Sequence, residues 1–319
     1  MNLKYVCLGA FIATNFLVSS PCQAGIVIKD GWFYDADEVA TMSAEEHFTA
    51  GMRAFEKGRW QDAAKQFNIV AINFSTTPHG QESSYYLGIC YFQTEEYDLA
   101  NDAFNNYLKE KNNPVYFQEV IEYKYEIANR FSHGAKRRFF GTRKLPKWAS
   151  GESMALDIYD EVVAALPCHD ISAHALYAKG CLLWKIKDFR SSIEAYQNLI
   201  RRFPKHDLAP ESYLIITRIY LDQCKYEFQN PDLLALAEIN VRRFRQDFPG
   251  EERLVQAESD VLKIKETYAR GLFDTGQFYE RTSHPQASVI YYKSAIEEFP
   301  ETSVAELCRK RLSALMRAP

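Results

Sequence analysis

The chain has 319 residues, with 38 Lys and Arg against 42 Asp and Glu, which gives a formal net charge of −4. A net acidic chain is a poor general binder of nucleic acid, because contact with phosphates needs surplus Lys and Arg. Apolar residues make up 47% of the chain, enough for a buried core, so extensive disorder is excluded. Glycine and proline are scarce, at 14 and 12 residues, which disfavours a many-turned β-sandwich and a glycine-rich phosphate-binding enzyme.

The first 24 residues have the composition of a secretory signal peptide. One basic residue, Lys4, precedes an apolar run of about 14 residues, shorter than the roughly 20 that a membrane-spanning helix needs. Cleavage after Ala24 would leave small residues at the two positions that signal peptidase reads. The alternative is lipidation of Cys22, although Pro21 stands where lipoprotein signals usually carry a small residue. Both alternatives predict export of the protein.

Apolar periodicity predicts thirteen helices after an N-terminal extension. They fall into six pairs and one closing helix: 44–57 and 60–74, 81–93 and 97–109, 115–132 and 151–166, 170–185 and 189–203, 209–227 and 231–248, 251–280 and 286–299, and 303–316. The first helix of the sixth pair is long for a repeat and contains Gly271 and Gly276, which allow a bend or a break there.

Four segments place a glycine sixteen residues before an aromatic residue, with a small residue twelve positions after the glycine. The pairs are Gly51 with Phe67, Gly88 with Phe104, Gly180 with Tyr196, and Gly276 with Tyr292. This spacing is typical of the tetratricopeptide repeat, in which the glycine lets the second helix approach the first and the aromatic ring fills the gap towards the next repeat. Aromatic-Pro pairs end several second helices, since proline cannot continue a helix. We therefore predict an all-α fold, a tetratricopeptide-repeat superhelix (α-solenoid) of about six helix pairs plus a C-terminal capping helix.

The third helix pair is divided by a basic insert that contains no acidic residue. Its six basic residues are Lys136, Arg137, Arg138, Arg143, Lys144 and Lys147. A solvated flexible loop is one interpretation, because surface loops tolerate long insertions. The other is a contact for an acidic partner domain or for anionic membrane headgroups, with Phe139, Phe140 and Trp148 as apolar anchors. The resulting organisation is a signal peptide at 1–24, an extension at 25–43, N-terminal repeats at 44–132, the insert at 133–150, and C-terminal repeats with the capping helix at 151–319.

The sequence contains none of the common motifs for nucleotide binding, nucleophilic serine or zinc-protease chemistry. The best cluster of metal-ligand residue types is Cys168, His169 and Asp170 with His174. We interpret it as a polar loop that caps a helix beginning near Ser172. No second pair of ligand residues has the spacing of a structural zinc site. The sequence therefore predicts a non-catalytic protein with no cofactor and no bound metal.

Two segments carry a more specific likeness: EEHFTAGMRAFEKGRWQDAAKQF at residues 45–67 and FYERTSHPQASVIYYKSAIEEFPET at residues 278–302. Together with the signal peptide, they resemble the BamD-like family, the tetratricopeptide components of the bacterial outer-membrane β-barrel assembly machinery. The resemblance covers roughly 44–130 and 170–316.

This resemblance implies a periplasmic scaffold at the inner face of the outer membrane. N-terminal repeats would receive the C-terminal strand of unfolded outer-membrane proteins, and C-terminal repeats would dock the barrel insertase. The alternative is another periplasmic tetratricopeptide adaptor, such as CpoB of the Tol–Pal and cell-division system. Against that alternative, residues 25–43 lack the heptads of an N-terminal coiled coil.

The first helices of the first two repeats share an apolar face that would line the concave side of the repeats. Its residues are Phe48, Met52, Phe55, Tyr85, Ile89 and Phe92. Two interpretations stay open. The N-terminal extension could cover this face with Trp32, Phe33 and Tyr34. Otherwise the face binds an extended peptide that ends in an aromatic residue, and Arg53 and Lys57 receive its terminal carboxylate.

Overall fold

A computed structural model describes residues 26–29, 32–35, 38–110, 114–139, 146–227 and 230–316, and most of these residues are helical. The helices are α1 (Ala44–Glu56), α2 (Trp60–Asn73), α3 (Pro78–Gln93), α4 (Tyr97–Glu110), α5 (Phe117–Ser132), α6 (Glu152–Ala165), α7 (Asp170–Lys185), α8 (Phe189–Arg202), α9 (Leu208–Gln223), α10 (Pro231–Asp247), α11 (Arg253–Arg281), α12 (Pro285–Glu298) and α13 (Ser303–Leu315). Six consecutive pairs followed by a closing helix confirm the predicted all-α repeat architecture.

Two short antiparallel strand pairs were not predicted. The first joins β1 (Ile26–Lys29) to β2 (Trp32–Asp35), and the second joins β3 (Lys136–Arg138) to β4 (Lys147–Ser150). The basic insert is therefore a hairpin along these two strands, and the interpretation as a flexible loop is wrong there. The predicted signal peptide, Cys22, and the side chains of the extension's Trp32, Phe33 and Tyr34 lie outside the described residues.

The chain divides between Cys90 and Tyr91 into two compact units. The first unit contains α1, α2 and most of α3. The second contains the end of α3, the helices from α4 to α13 and the β3–β4 hairpin. The division falls inside a helix and does not coincide with the basic insert.

Local chemistry explains where many helices begin and end. Ser43 and Glu46 form a capping box on α1: the Ser43 hydroxyl accepts the Glu46 N–H at 3.3 Å, and the Glu46 carboxylate accepts the Ser43 N–H at 2.9 Å. The hydrogen bonds that the Glu46 carboxylate accepts from the Ser43 N–H and the Ser43 hydroxyl lower the pKa of Glu46. At the other end of a repeat, α8, α10 and α12 each stop one residue before an aromatic-Pro pair, as predicted.

Close approach at the register glycines is the main packing feature of the helix pairs. A Cβ atom built on Gly180 would lie 2.7 Å from the Tyr196 ring, and one on Gly276 would lie 2.6 Å from Tyr292. The Gly51 and Phe67 pair shows the same overlap at 2.8 Å. Real side chains do not approach this closely, so these positions admit no side chain without movement of a buried ring. The predicted role of the glycines is confirmed at these three pairs.

The aromatic residue of a second helix also contacts the next pair, as the repeat pattern predicts. In the first unit, Phe67 of α2 stacks on Tyr86 of α3, with ring centroids 5.4 Å apart. In the second unit, Phe104 of α4 stacks on Tyr123 of α5 at 5.3 Å. Such ring pairs stabilise beyond the area that they bury, which ties successive helix pairs together.

Helix α11 is much longer than its neighbours, at 29 residues, and runs without interruption. The break suggested by Gly271 and Gly276 is therefore absent, and a bend there stays a prediction. Gly276 instead makes room for Tyr292 of α12. Helix α11 packs against α9, α10, α12 and α13.

Among the described residues, no helix combines the length and the apolar character that crossing a membrane requires.

Replacing Gly180 by Ala should lower the free energy of unfolding by about 1–3 kcal/mol, because the added methyl group overlaps the buried Tyr196 ring. Helix propensity alone predicts the opposite sign, since Ala favours a helix over Gly by about 1 kcal/mol. Urea unfolding followed by far-UV circular dichroism measures the difference.

The matched control is the same substitution in a Tyr196→Leu background, where the smaller side chain leaves space for the methyl group. Gly180→Ala should cost less there, and the double-mutant cycle isolates the contact. A Gly180→Ala variant at least as stable as the wild type would contradict the packing argument.

Candidate functional site

The predicted apolar face of α1 is mainly interior packing. Phe48 and Phe55 are half-buried, and their rings contact Phe67 of α2 and Tyr86 of α3. The centroid distances are 5.7 Å between Phe48 and Phe67 and 5.3 Å between Phe55 and Tyr86. These two side chains therefore hold α1, α2 and α3 together inside the first unit.

The α3 residues assigned to the same face are also interior. Tyr85 is 4% exposed and Ile89 7%, so neither can line an open groove. Phe92 belongs to the second unit, where its ring packs on Tyr97 at 5.7 Å and Tyr123 at 5.2 Å. A 3.6-residue period identifies an apolar stripe, but it does not say whether a groove or a neighbouring helix covers that stripe.

The remaining residues of this predicted site are more accessible. Met52 is half-buried, and Arg53 and Lys57 are exposed. Their role in binding a peptide carboxylate stays a prediction.

The basic insert is attached to the start of α4 through Arg138. This side chain is 8% exposed, and its Nη1 donates to Asp98 Oδ1 at 2.7 Å. The Arg138 backbone N–H donates to Asp98 Oδ2 at 2.8 Å, and the guanidinium also pairs with Glu96. Arg138 is therefore a structural residue of the hairpin, and its charge is not available to a partner.

Lys147 strengthens the same attachment from the second strand. Its ammonium donates to the Glu95 carbonyl oxygen at 2.9 Å and lies 3.1 Å from Glu96 Oε2. Glu95 adopts a left-handed backbone conformation, with φ of 59°, which fits its place in the tight turn before α4. Arg138 and Lys147 of the insert therefore both bind the turn before α4.

Some of the other residues of the insert are accessible to solvent, at least in part, and others lie outside the described residues. Lys136 is exposed, and Arg137 is half-buried with its Nε donating to the Ser150 carbonyl oxygen at 3.2 Å. Trp148 is 72% exposed. Arg143, Lys144 and Phe140 lie outside the described residues. A partner or membrane contact through the accessible members stays a prediction.

A cleft in the second unit lies on α9, between α8 and α10. It consists of two adjoining cavities of about 620 and 590 Å³ that share Gln197, Arg201, Tyr220 and Leu236. We call this the α9 cleft, and its lining comprises Arg190, Ile193, Glu194, Gln197, Asn198, Ile200, Arg201, Tyr213, Tyr220, Gln223, Leu233, Leu236, Ile239, Asn240, Arg243 and Asp247.

Three arginines dominate the charge of the α9 cleft. Arg190, Arg201 and Arg243 are exposed, and none of them pairs with a carboxylate within the described part of the chain. Two acidic residues also line the cleft, and one of them, Asp247, accepts the Tyr213 hydroxyl at 2.6 Å. Arg201 also donates to the Asn198 side-chain oxygen, and each of the three guanidinium groups keeps further N–H donors that can bind a carboxylate.

Apolar and aromatic side chains complete the lining. Leu236 and Ile239 of α10 are 43% and 42% exposed, so both leave apolar surface open to solvent beside the cleft. Burial raises the pKa of the Tyr220 hydroxyl, and Arg243 opposes that shift. Tyr220 therefore stays neutral over the physiological range and presents a ring with a polar tip.

Sequence reasoning missed this cleft, although a signal for it was present. Arg190, Glu194, Gln197 and Arg201 recur at spacings of four, three and four residues, which places them on one face of α8. A polar stripe of this kind is ordinarily a solvated helix face. Only the neighbouring helices show that it forms the wall of a cleft.

The polar turn before α7 caps a helix, as the sequence indicated. His169 is the N-cap residue, and its Nδ1 accepts the Ile171 N–H at 3.3 Å. The helix begins at Asp170, the first residue of the predicted helix 170–185. His206, which the sequence did not connect with this turn, lies against Asp170.

Comparison with known proteins supports the repeat assignment. Residues 48–114 and 173–206 each match a family model described as tetratricopeptide repeat. The chain therefore carries tetratricopeptide repeats, a fold that commonly serves as a scaffold for protein interaction. No curated protein shows significant similarity to the chain.

Solved structures with partial likeness include MamA from Desulfovibrio magneticus RS-1, at 17% identity and a TM-score of 0.35, covering 66% of this chain and 97% of that one. A tetratricopeptide repeat protein from Parabacteroides merdae is 13% identical with a TM-score of 0.36, covering 86% and 99%. YrrB, described as having an unusual peptide-binding site, is 12% identical with a TM-score of 0.36, covering 68% and 92%.

Replacing Asp98 by Ala should lower the free energy of unfolding by about 3–5 kcal/mol, because it leaves the buried Arg138 guanidinium without its main partner. The exposed Lys136 of the same hairpin provides the control, and Lys136→Ala should change stability by less than about 0.5 kcal/mol. Urea unfolding of both variants gives the comparison. Equal stability of the two variants would show that the buried pair does not hold the hairpin.

Proposed function

We propose that the protein is a non-catalytic tetratricopeptide scaffold that holds an extended, acidic segment of a partner protein in the α9 cleft. The observation that carries the proposal is the set of three arginines without carboxylate partners beside exposed Leu236 and Ile239. Side chains of this kind recognise a chain in which carboxylates and apolar residues occur together.

The dimensions of the cleft favour an extended segment. Its floor runs from Tyr213 to Gln223 on α9, which is about 15 Å at the rise of a helix. An extended chain advances about 3.3 Å per residue, so about four or five residues span that length. Alternate side chains of such a segment point in opposite directions, so one set can face the cleft.

The two kinds of lining would contribute differently to binding. Covering Leu236 and Ile239 removes apolar surface from water, worth up to about 1.5–3 kcal/mol for each side chain if fully buried. Bidentate contacts from guanidinium to carboxylate add direction and specificity. Positive charge around the cleft would also raise the association rate, in a manner that salt weakens.

The sequence supports a more specific version of this function. The signal segment and the likeness of residues 45–67 and 278–302 to the BamD-like family favour an exported scaffold in outer-membrane protein assembly. Its partners would then be unfolded outer-membrane proteins and the barrel insertase, and its location would be the inner face of the outer membrane. In this proposal the peptide binds in the C-terminal repeats, at the α9 cleft, whereas the resemblance implies that it binds in the N-terminal ones.

A fluorescently labelled peptide of alternating Asp and Leu tests the general proposal by anisotropy at low and high salt. The double variant Arg201→Ser with Arg243→Ser should raise the Kd about 10-fold or more, because it removes two charge-assisted contacts. Arg242→Ser is the matched control, since Arg242 is an exposed neighbour that does not line the cleft. An identical Kd for the double variant and the control would rule out the cleft as the binding site.

A photo-reactive residue at Leu236 tests the specific version in cells. Cross-linking followed by mass spectrometry should recover outer-membrane β-barrel proteins if the scaffold serves their assembly. Recovery of other exported proteins alone would reject that role and leave the scaffold function standing. The same residue placed at Arg242 controls for contacts outside the cleft.

A further inference from the structure

Three metal-ligand side chains from two separate turns converge in the second unit. Asp170 and His174 lie one helical turn apart at the start of α7, and His206 lies in the turn between α8 and α9. His206 Nε2 is 2.8 Å from Asp170 Oδ1, and His174 Nε2 is 3.4 Å from Asp170 Oδ2. One ligand atom from each residue falls within 4.8 Å of the other two.

We infer that Asp170, His174 and His206 form a binding site for a divalent transition-metal ion of the Zn²⁺ class. Two imidazoles and one carboxylate suit this class, which binds nitrogen and carboxylate oxygen at about 2.0–2.2 Å. Ligand atoms at the corners of a tetrahedron of that size are about 3.4 Å apart. The separations of 2.8 and 3.4 Å involve the two different oxygens of Asp170, and the three ligand atoms lie within 4.8 Å of one another, so side-chain rotation must draw the two imidazoles closer to one ion.

The two imidazole rings of the cluster lie edge to face. Their centroids are 5.4 Å apart and their planes are nearly perpendicular, at 84°, so the rings do not stack on one another. Asp170 supplies the carboxylate of the proposed ligand set. Its negative charge also offsets the positive end of α7, which would otherwise repel a cation.

The hydrogen bonds of His206 define what metal binding must change. The Leu208 N–H donates to His206 Nδ1 at 3.0 Å, so in this arrangement Nε2 carries the ring proton and donates to Asp170. An ion at Nε2 requires that proton to move to Nδ1. The Leu208 N–H, in the first turn of α9, then loses its hydrogen bond to His206 Nδ1 and bonds to water instead.

The site is accessible and has room for a further ligand. Asp170 and His174 are exposed, and the His206 side chain is 17% exposed. With three protein ligands, a fourth position is left for water or for a group of a partner. Cys168 is also exposed and lies two residues before Asp170, so the experiment must separate a thiolate ligand from the proposed set.

Titration of the metal-free full chain with Co²⁺ and Zn²⁺ tests the inference. Co²⁺ should give saturable d–d absorption at one ion per chain without a thiolate charge-transfer band, and Zn²⁺ should displace it. His206→Gln, His174→Gln and Asp170→Asn should each raise the Kd by about 100-fold or more, since each removes a ligand. Zn²⁺ should also raise the unfolding temperature of the wild type and not that of the variants.

Two controls make the result decisive. His133→Gln changes an exposed histidine outside the cluster and should leave metal binding unchanged. Cys168→Ser should also leave it unchanged. No saturable binding by the wild type, binding that survives His206→Gln, or loss of binding in Cys168→Ser would each overturn the proposed ligand set.

Discussion

The close approach of two helices at a glycine and an aromatic ring is the contact on which the rest of this structure depends. At Gly180 and Tyr196 it sets the distance between α7 and α8, because there is no space for a methyl group between them. Helix α8 carries one wall of the α9 cleft, and the Asp170–His206 contact joins the start of α7 to the turn after α8. The α9 cleft and the Asp170–His206 contact therefore both depend on the packing of Gly180 against Tyr196, although neither site contains these two residues.

The repeat architecture could be predicted because its determinants are short-range. A glycine, an aromatic residue sixteen positions later and a helix-ending proline all act within one helix pair, so their spacing is visible in the chain. Features that depend on contacts between pairs could not be predicted in the same way. His206 and Asp170 are 36 residues apart, and nothing in either local sequence marks the other as its neighbour. The apolar face of α1 and α3 shows the same limit. The sequence reveals its apolar stripe, but it does not reveal which side chains of other helices pack on that stripe.

The basic insert shows that the number of basic residues in a segment can exceed the number whose charge is available to a partner. Its residues look like a cationic patch in the sequence, because no acidic residue interrupts them. In the folded chain, Arg138 pairs with Glu96 and Asp98, and Lys147 pairs with Glu96. Both acidic residues are distant in sequence from the insert: Glu96 lies in the turn before α4, and Asp98 lies in the first turn of that helix. A buried arginine of this kind needs its partners to offset the loss of hydration, so its first role is structural.

The length of α11 has a consequence for how the C-terminal part of the chain unfolds. In an ideal repeat array each unit touches only its neighbours, and the ends can fray one unit at a time. A single 29-residue helix that packs on α9, α10, α12 and α13 joins the fifth pair, the sixth pair and the closing helix. Unfolding of any one of these helices exposes part of the surface of α11, so the helices from α9 to α13 form one cooperative unit. This end of the protein therefore resists stepwise opening by proteases or by mechanical force.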